Sequence, residues 1–350
     1  MNADENILRA VRFDTPERIP MHFHINAACW RHYRQNALQE LMASHPLLFP
    51  DFTPSAQPVV PDYVPEARAG RPYKDSWGCV WETTDDGIVG TVTGHPLADW
   101  QSLERFVMPD IEQTDGRHAI DWKQFAERMS AARRGGRIAL AELPHGHTFL
   151  LLSDLRGYEN LILDMAEDDR RLTRLIEIVE TFNLSLVQRF IELGATWIGY
   201  PDDLGMQQGP MLSPWQFQRY IKPIYQHLMA PARQAGCVVH MHSDGDIREL
   251  VDDLVACGVD VLNLQDLVNG IDWIRSRLAG RVCVELDIDR QRITRFGTPA
   301  QIDALIREEV ETLGSRSGGL MMIFGLYPGT PLENVAALMD AMERYATYYA

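Results

Sequence analysis

Residues 238–264 read VVHMHSDGDIRELVDDLVACGVDVLNL, and they hold a complete strand–helix–strand unit. Val238 to His242 is a short apolar run, residues 247–257 carry a helical pattern, and Val259 to Leu264 is a second apolar run. Strands that alternate with amphipathic helices form a parallel sheet, because a crossover helix returns the chain to the same edge. The same alternation extends outward in both directions. Further strands are expected at Arg137 to Leu143, Thr196 to Tyr200, Val282 to Leu286 and Gly319 to Phe324. Helical patterns fall near 150–164, 168–193, 214–235, 269–279, 298–314 and 331–348. Arg18 to His24 adds a strand near the start, giving about seven of the eight that a closed barrel needs. The fold expected is therefore α/β, a (β/α)8 TIM barrel formed as one domain over 1–350. The eighth strand is not legible.

Residues 50–110 break the pattern. They are rich in Pro, Gly, Asp and Trp, and Trp77-Gly78-Cys79-Val80-Trp81-Glu82 followed by Asp85-Asp86-Gly87 reads as a β-hairpin inserted over one barrel end.

The formal net charge of -16 over 350 residues disfavours nucleic acid, whose phosphates require clustered Lys and Arg. Five cysteines, Cys29, Cys79, Cys237, Cys257 and Cys283, form no CxxC pair, so neither a disulfide framework nor a zinc knuckle is expected, and a reducing cytoplasm fits. The acidic start, without a basic n-region or an apolar h-region, and the lack of an eighteen-residue uncharged apolar run predict neither secretion nor membrane spanning.

In α/β barrels the chemistry gathers where strands end, and here those positions are polar. The ends offer His22 and His24; Glu142, His145 and His147; Asp202 and Asp203; His240, His242 and Asp244; Asn263 and Gln265; Glu285, Asp287 and Asp289; and Tyr327. Side chains two apart on a strand share a face, so His240, His242 and Asp244 point together, as do Glu285, Asp287 and Asp289. Imidazole and carboxylate without thiolate suit zinc, or a harder ion such as iron or manganese. Each of these residues also has an ordinary structural role open to it, as a satisfied core histidine or a capping carboxylate. Asp202-Asp203 closes its strand before Gly205, which either brings a carboxylate to the site or caps the helix after Pro210. Cys237 and Cys283 lie at strand starts and read as core.

Several of these segments resemble the uroporphyrinogen decarboxylase superfamily, which includes the decarboxylase and the cobalamin-dependent methyltransferases that demethylate methanol, methylamines or aryl methyl ethers. The resemblance rests on Asn6-Ile7-Leu8-Arg9-Ala10-Val11-Arg12-Phe13 with Pro16-Glu17-Arg18-Ile19-Pro20, and on Asp202-Asp203-Leu204-Gly205 with Gly209-Pro210-Met211-Leu212-Ser213-Pro214. It continues through Tyr220-Ile221-Lys222-Pro223, His242-Ser243-Asp244-Gly245-Asp246-Ile247, Phe296-Gly297-Thr298-Pro299 and Pro328-Gly329-Thr330-Pro331-Leu332-Glu333-Asn334-Val335. The decarboxylases carry an N-terminal Arg-Gln-Ala-Gly-Arg stretch with no counterpart near His22-Phe23-His24-Ile25-Asn26, so the resemblance leans toward the O-demethylase-like methyltransferase branch.

In the zinc methyltransferases the matching strand end reads His-x-Cys, with a second cysteine near the last strand. Here His242 matches the histidine, Asp244 replaces the first cysteine, and Phe324-Gly325-Leu326 supplies no second thiolate. The resemblance thus implies a metal held by His242 and Asp244, with Glu285 and His240 as the substitute ligands. It implies methyl transfer from a small O-methyl or N-methyl substrate to a corrinoid, on a separate carrier protein or free, in a chain whose relatives often dimerise. Asp203 or Glu142 would supply an acid for the leaving group, with Asp202 beside them, and His145, His22, Tyr327 and Gln265 would face the substrate. Cofactor-free decarboxylation of a small aromatic or polycarboxylic acid is the rival chemistry, metal-assisted hydrolysis or lyase chemistry a second. A non-catalytic small-molecule binding protein is the rival from another class.

Overall fold

The computed structural model describes residues 2–349. Its strands, in chain order, are β1 (Met21–Ile25), β2 (Tyr73–Lys74), β3 (Val80–Glu82), β4 (Thr91–Gly94), β5 (Leu140–Glu142), β6 (Trp197–Pro201), β7 (Val238–Ser243), β8 (Val261–Gln265), β9 (Cys283–Asp287) and β10 (Leu320–Leu326). β2, β3 and β4 make a small antiparallel sheet. The fold is α/β, with the strand–helix alternation of the (β/α)8 barrel class; among the described residues seven strands, rather than eight, stand outside the small sheet.

The chain divides into two compact units, and the division cuts β8 between Leu262 and Asn263. The first unit comprises Met1–Gly70, Thr83–Val89 and Asn263–Ala350. In it β1 pairs with β10 and β10 with β9, all parallel, so that His22 lies opposite Ile323 and Glu285 opposite Met321. Phe23 and Phe324 pack with ring centroids 5.3 Å apart in its core. The helix Pro299–Leu313 begins at a capping box, in which the Thr298 hydroxyl and the Gln301 side chain each satisfy the other residue's backbone N–H.

The second unit comprises Arg71–Glu82 and Gly90–Leu262. Here β5, β6 and β7 pair in parallel, setting Glu142, Gly199 and His240 in one row and Pro201 beside His242 in the row above. All five residues of β6 are buried, as befits a parallel strand covered on both faces. The 23-residue helix Arg170–Glu192 starts at the Asp169 cap and buries Leu172, Leu175, Val179, Phe182, Leu186 and Phe190, a stripe at helical spacing. The single helix read at 150–164 is two, Phe149–Arg156 and Tyr158–Glu167, because Gly157 adopts φ 85° between them.

The hairpin expected around Trp77–Gly87 is present: β3 pairs antiparallel with β4, Glu82 opposite Thr91, and Asp85-Asp86-Gly87 lies in the loop between them. A tight turn precedes it: Asp75 N–H donates to the Cys79 carbonyl, while the Asp75 carboxylate accepts from Cys79 N–H at 2.9 Å and from Trp81 Nε1 at 2.8 Å. Trp81 then pairs with Tyr73 on one side and Val92 on the other. Within the loop between β3 and β4, Asp86 reaches out to Arg31 at 2.6 Å and to the Ala69 N–H at 3.0 Å.

The loops that leave β6 and β7 touch backbone to backbone. A Cβ on Gly245, whose φ is 81°, would lie 2.2 Å from the Gly205 carbonyl carbon, and a Cβ on Gly205 would lie 2.5 Å from the Gly245 carbonyl carbon. Hydrogen bonds fix the approach: Asp202 N–H to the His242 carbonyl, Leu204 N–H to Ser243 Oγ, and Gly205 N–H to the Asp244 carbonyl. Gly245→Ala adds both a left-handed strain and a backbone clash, so it should destabilise the protein by about 2 kcal/mol or more. Thermal or urea denaturation of the variant beside wild type measures this; an unchanged midpoint would show that the loops are not locked together.

Candidate metal centre

Each of three strand exits in the second unit delivers one side chain to a common point. His145 follows β5, Asp203 follows β6, and His242 ends β7. His242 Nε2 lies 3.4 Å from Asp203 Oδ1, and His145 Nε2 lies 3.5 Å from Asp203 Oδ2, so the two oxygens of one carboxylate each face an imidazole. One ligand atom from each of the three residues falls within 4.8 Å of the other two. Ligands at the usual zinc–nitrogen and zinc–oxygen distances in a tetrahedron stand roughly 3.3 Å apart, close to the carboxylate–imidazole spacings here. Asp244 Oδ1, 3.9 Å from His242 Nε2, is a further oxygen at the edge of the cluster. The donor set, two imidazoles with carboxylate oxygen, fits a divalent ion of borderline or hard character.

The surrounding electrostatics hold Asp203 ionised. Burial raises its pKa, but the hydrogen bonds and positive charge of His145 and His242 outweigh that and keep it well below the ordinary carboxylate range. Asp244 N–H adds a hydrogen bond to Asp203 Oδ1 at 2.9 Å.

Its neighbour Asp202 faces the opposite way and is fully buried. It accepts from Phe149 N–H at 2.7 Å, Leu150 N–H at 3.1 Å and Tyr225 Oη at 2.7 Å, anchoring the first turn of the helix that follows the His145 loop. Burial pushes its pKa up to about 6, against the lowering effect of those three bonds. Behind the cluster His147 is fully enclosed; burial holds it neutral, with a pKa of about 3, and its Nδ1 meets Thr148 Oγ1 at 2.6 Å.

The remaining sequence candidates occupy other places. His240 sits one row deeper in the sheet, its ring 5.6 Å from that of Trp197. Glu142 is solvent-exposed in that row and lies against Gly199. Glu285 belongs to the first unit, where its Oε1 meets His22 Nδ1 at 3.3 Å. Burial opposes the charged imidazole, yet the Glu285 carboxylate wins and raises the His22 pKa. Gln265 ends β8 in the same unit, and its carbonyl accepts from Asn269 Nδ2 at 2.8 Å. Tyr327 is 43% exposed with the Arg290 guanidinium 5.7 Å from its ring. The geometry therefore joins His242 with His145 and Asp203, residues to which the family resemblance gave substrate contact and acid chemistry instead. Arg117 escaped the sequence reading altogether: its guanidinium stacks 4.4 Å over Trp81 and Nη2 donates to the His145 carbonyl at 2.8 Å. Nothing near Arg117 in the sequence signals this, since its partners are 36 and 28 residues away.

These features meet in one class of protein, an α/β fold of the barrel type with a polar cluster at its strand exits. Residues 90–345 match the model of the uroporphyrinogen decarboxylase (URO-D) family, and the chain belongs to that family. A uroporphyrinogen decarboxylase from Thermus thermophilus is 32% identical over 143 residues, 39% of this chain and 38% of that protein. The methylcobamide:CoM methyltransferase MtaA of Methanosarcina barkeri is 22% identical over 201 residues, 56% of this chain and 55% of that protein. The chain thus spans between about two fifths and about half the length of the curated relatives it matches. In fold it is similar to a methyltransferase from Methanosarcina mazei, with a TM-score of 0.66 at 20% identity over the whole of both chains. No helix among the described residues is long and apolar enough to cross a membrane.

Asp202 gives this region a distinctive pH dependence. Its folded pKa, about 6 against an ordinary 3.8, means that the folded state binds this proton more tightly than the unfolded chain does. Its contribution is present below the ordinary value and is lost as pH rises toward 6. In metal-free protein, Asp202→Asn should flatten the dependence of the melting temperature between those two pH values relative to wild type. Parallel curves for the two proteins would refute the assignment.

Proposed function

We propose that this chain is a metal-dependent methyltransferase that moves a methyl group from a small O-methyl substrate, a methoxylated aromatic, or an N-methyl one, to a corrinoid. The observation that carries the reading is the convergence of His145, Asp203 and His242 on one point. Similarity to a methylcobamide methyltransferase and to the fold of a methanogen methyltransferase supports it. His145, Asp203 and His242 would hold the ion, with Asp244 adjoining, and the ion when bound would act as a Lewis acid on the heteroatom that carries the methyl group. Asp202 orients the site by fixing the helix behind His145, and Glu285 and His22 form a separate pair in the other unit. A corrinoid carrier protein is the partner this chemistry calls for.

Asp203, which part of the sequence reading cast as an acid, is the wrong group for that task, because two flanking imidazoles keep its proton off. It would serve instead as a carboxylate ligand to the ion, between the two imidazoles. His242→Ala and Asp203→Ala should each lower affinity for zinc by more than about 100-fold, beyond what loss of an outer-shell partner costs. Elemental analysis and competition with a chromophoric chelator read this directly; full retention of metal in both variants would remove the proposed centre.

Methyl transfer itself is tested by incubating zinc-loaded protein with Co(I) cobalamin and a panel of methoxylated aromatics and methylamines, and following methylcobalamin in the visible spectrum. A decarboxylase reading draws on the similarity to the Thermus decarboxylase. Release of carbon dioxide from uroporphyrinogen or from small aromatic acids, with no methylcobalamin formed, would establish that reading in place of the first.

A further inference from the structure

Beside the three clustered residues, the second unit encloses a cavity of about 20 Å³, enough for a water-sized group. His145 forms one side of it and Asp154, on the helix Phe149–Arg156, another. Trp77, Trp81 and Phe182 supply buried aromatic walls, with the rings of Trp77 and Phe182 4.8 Å apart edge to face. Arg117 also lines the cavity, held by its stacking on Trp81 and its bond to the His145 carbonyl.

The other acids near this space are occupied. Asp75 accepts from Cys79 N–H and Trp81 Nε1, Asp115 from the N–H groups of Arg117 and His118, and Asp202 from Phe149, Leu150 and Tyr225. Asp154 is different. Its backbone carbonyl accepts from His95 Nδ1 at 2.7 Å and Cys79 Sγ at 3.5 Å, but among the described residues its carboxyl forms neither a hydrogen bond nor an ion pair. It lines a small space of mixed aromatic and polar walls next to His145, and among the described residues no protein donor takes up its carboxyl.

We propose that Asp154 is the proton donor to the departing oxygen or nitrogen of the substrate, acting across this cavity beside His145. The inference rests on the methyl-transfer reading. The bond between the methyl carbon and the heteroatom breaks with its electron pair left on the heteroatom. The methyl group is taken up by the reduced corrinoid, whose Co(I) supplies the pair for the new bond. The heteroatom takes the Asp154 proton to leave as a phenol, alcohol or amine, and the Asp154 carboxylate recovers a proton from water before the next turnover. The environment suits the role: burial lifts this carboxyl to about 7, Arg117 and His145 pull it down, and Asp75 and Asp202 push it up.

The test compares zinc-loaded wild type with Asp154→Asn and Asp154→Glu, on aryl methyl ethers whose product phenols run from strongly acidic nitrophenols to alkylphenols. An acidic phenol leaves without help, so Asp154→Asn should lose less than about 3-fold on nitrophenyl ethers and about 100-fold or more on alkylphenyl ethers. Asp154→Glu should recover part of that loss, with zinc content and melting temperature unchanged in both variants. Independently of turnover, the infrared difference between metal-free wild type and Asp154→Asn at pH 6 should contain a protonated-carboxyl band, distinct from any that Asp202→Asn removes. A loss equal across the ether series, or the absence of that band, overturns the assignment. Methyl transfer by wild type at a rate that Asp154→Asn matches on every ether overturns only the role of Asp154, whereas no transfer by wild type overturns the methyl-transfer reading and this role with it.

Discussion

The site hangs on two successive carboxylates that face opposite ways. Because β6 is still extended where it ends, Asp202 and Asp203 project to opposite sides of the chain. Asp202 reaches inward and satisfies the free N–H groups at the start of the helix after the His145 loop. Asp203 reaches outward and meets His145 and His242. One dipeptide therefore ties together the exits of β5, β6 and β7. The close approach of Gly205 to Gly245 leaves the loops beyond no room to drift, which holds the three clustered side chains in register.

The cluster contains no sulfur, and all five cysteines are buried. Cys29, Cys237 and Cys79 each donate to a backbone carbonyl, and burial raises the pKa of these thiols and of Cys257 and Cys283, so they rest as thiols in the core. The donors at the strand exits are imidazole and carboxylate, a harder set than the thiolate-rich one of the zinc methyltransferases. Asp203 carries the negative charge of the cluster. With two imidazoles against it, that charge persists at low pH even though the group is largely withdrawn from water.

Much of the architecture could be read directly. The strands at 197–201, 238–243, 261–265, 283–287 and 320–326 fall within a residue or two of the apolar runs that announce them, and the long helix Arg170–Glu192 follows its amphipathic stripe. The helix misreading has a local cause: Gly157 breaks a continuous helical pattern into two helices. Within the candidate site, His242 and Asp244 stood out because they share a strand face, whereas Glu285 and His240 looked equivalent on the same ground.

Sequence by itself determined the βα alternation, the polar character of the strand ends and the absence of a thiolate at the β7 exit, because each is a property of neighbours along the chain. Only tertiary structure decided which strand ends meet. His145 and Asp203 join His242 across 97 and 39 residues, Glu285 finds His22 across 263, and Asp154 comes to line the cavity shared with His145. Those partnerships depend on strand register and on loops that leave the sheet at fixed angles, and periodicity within a segment carries no information about either.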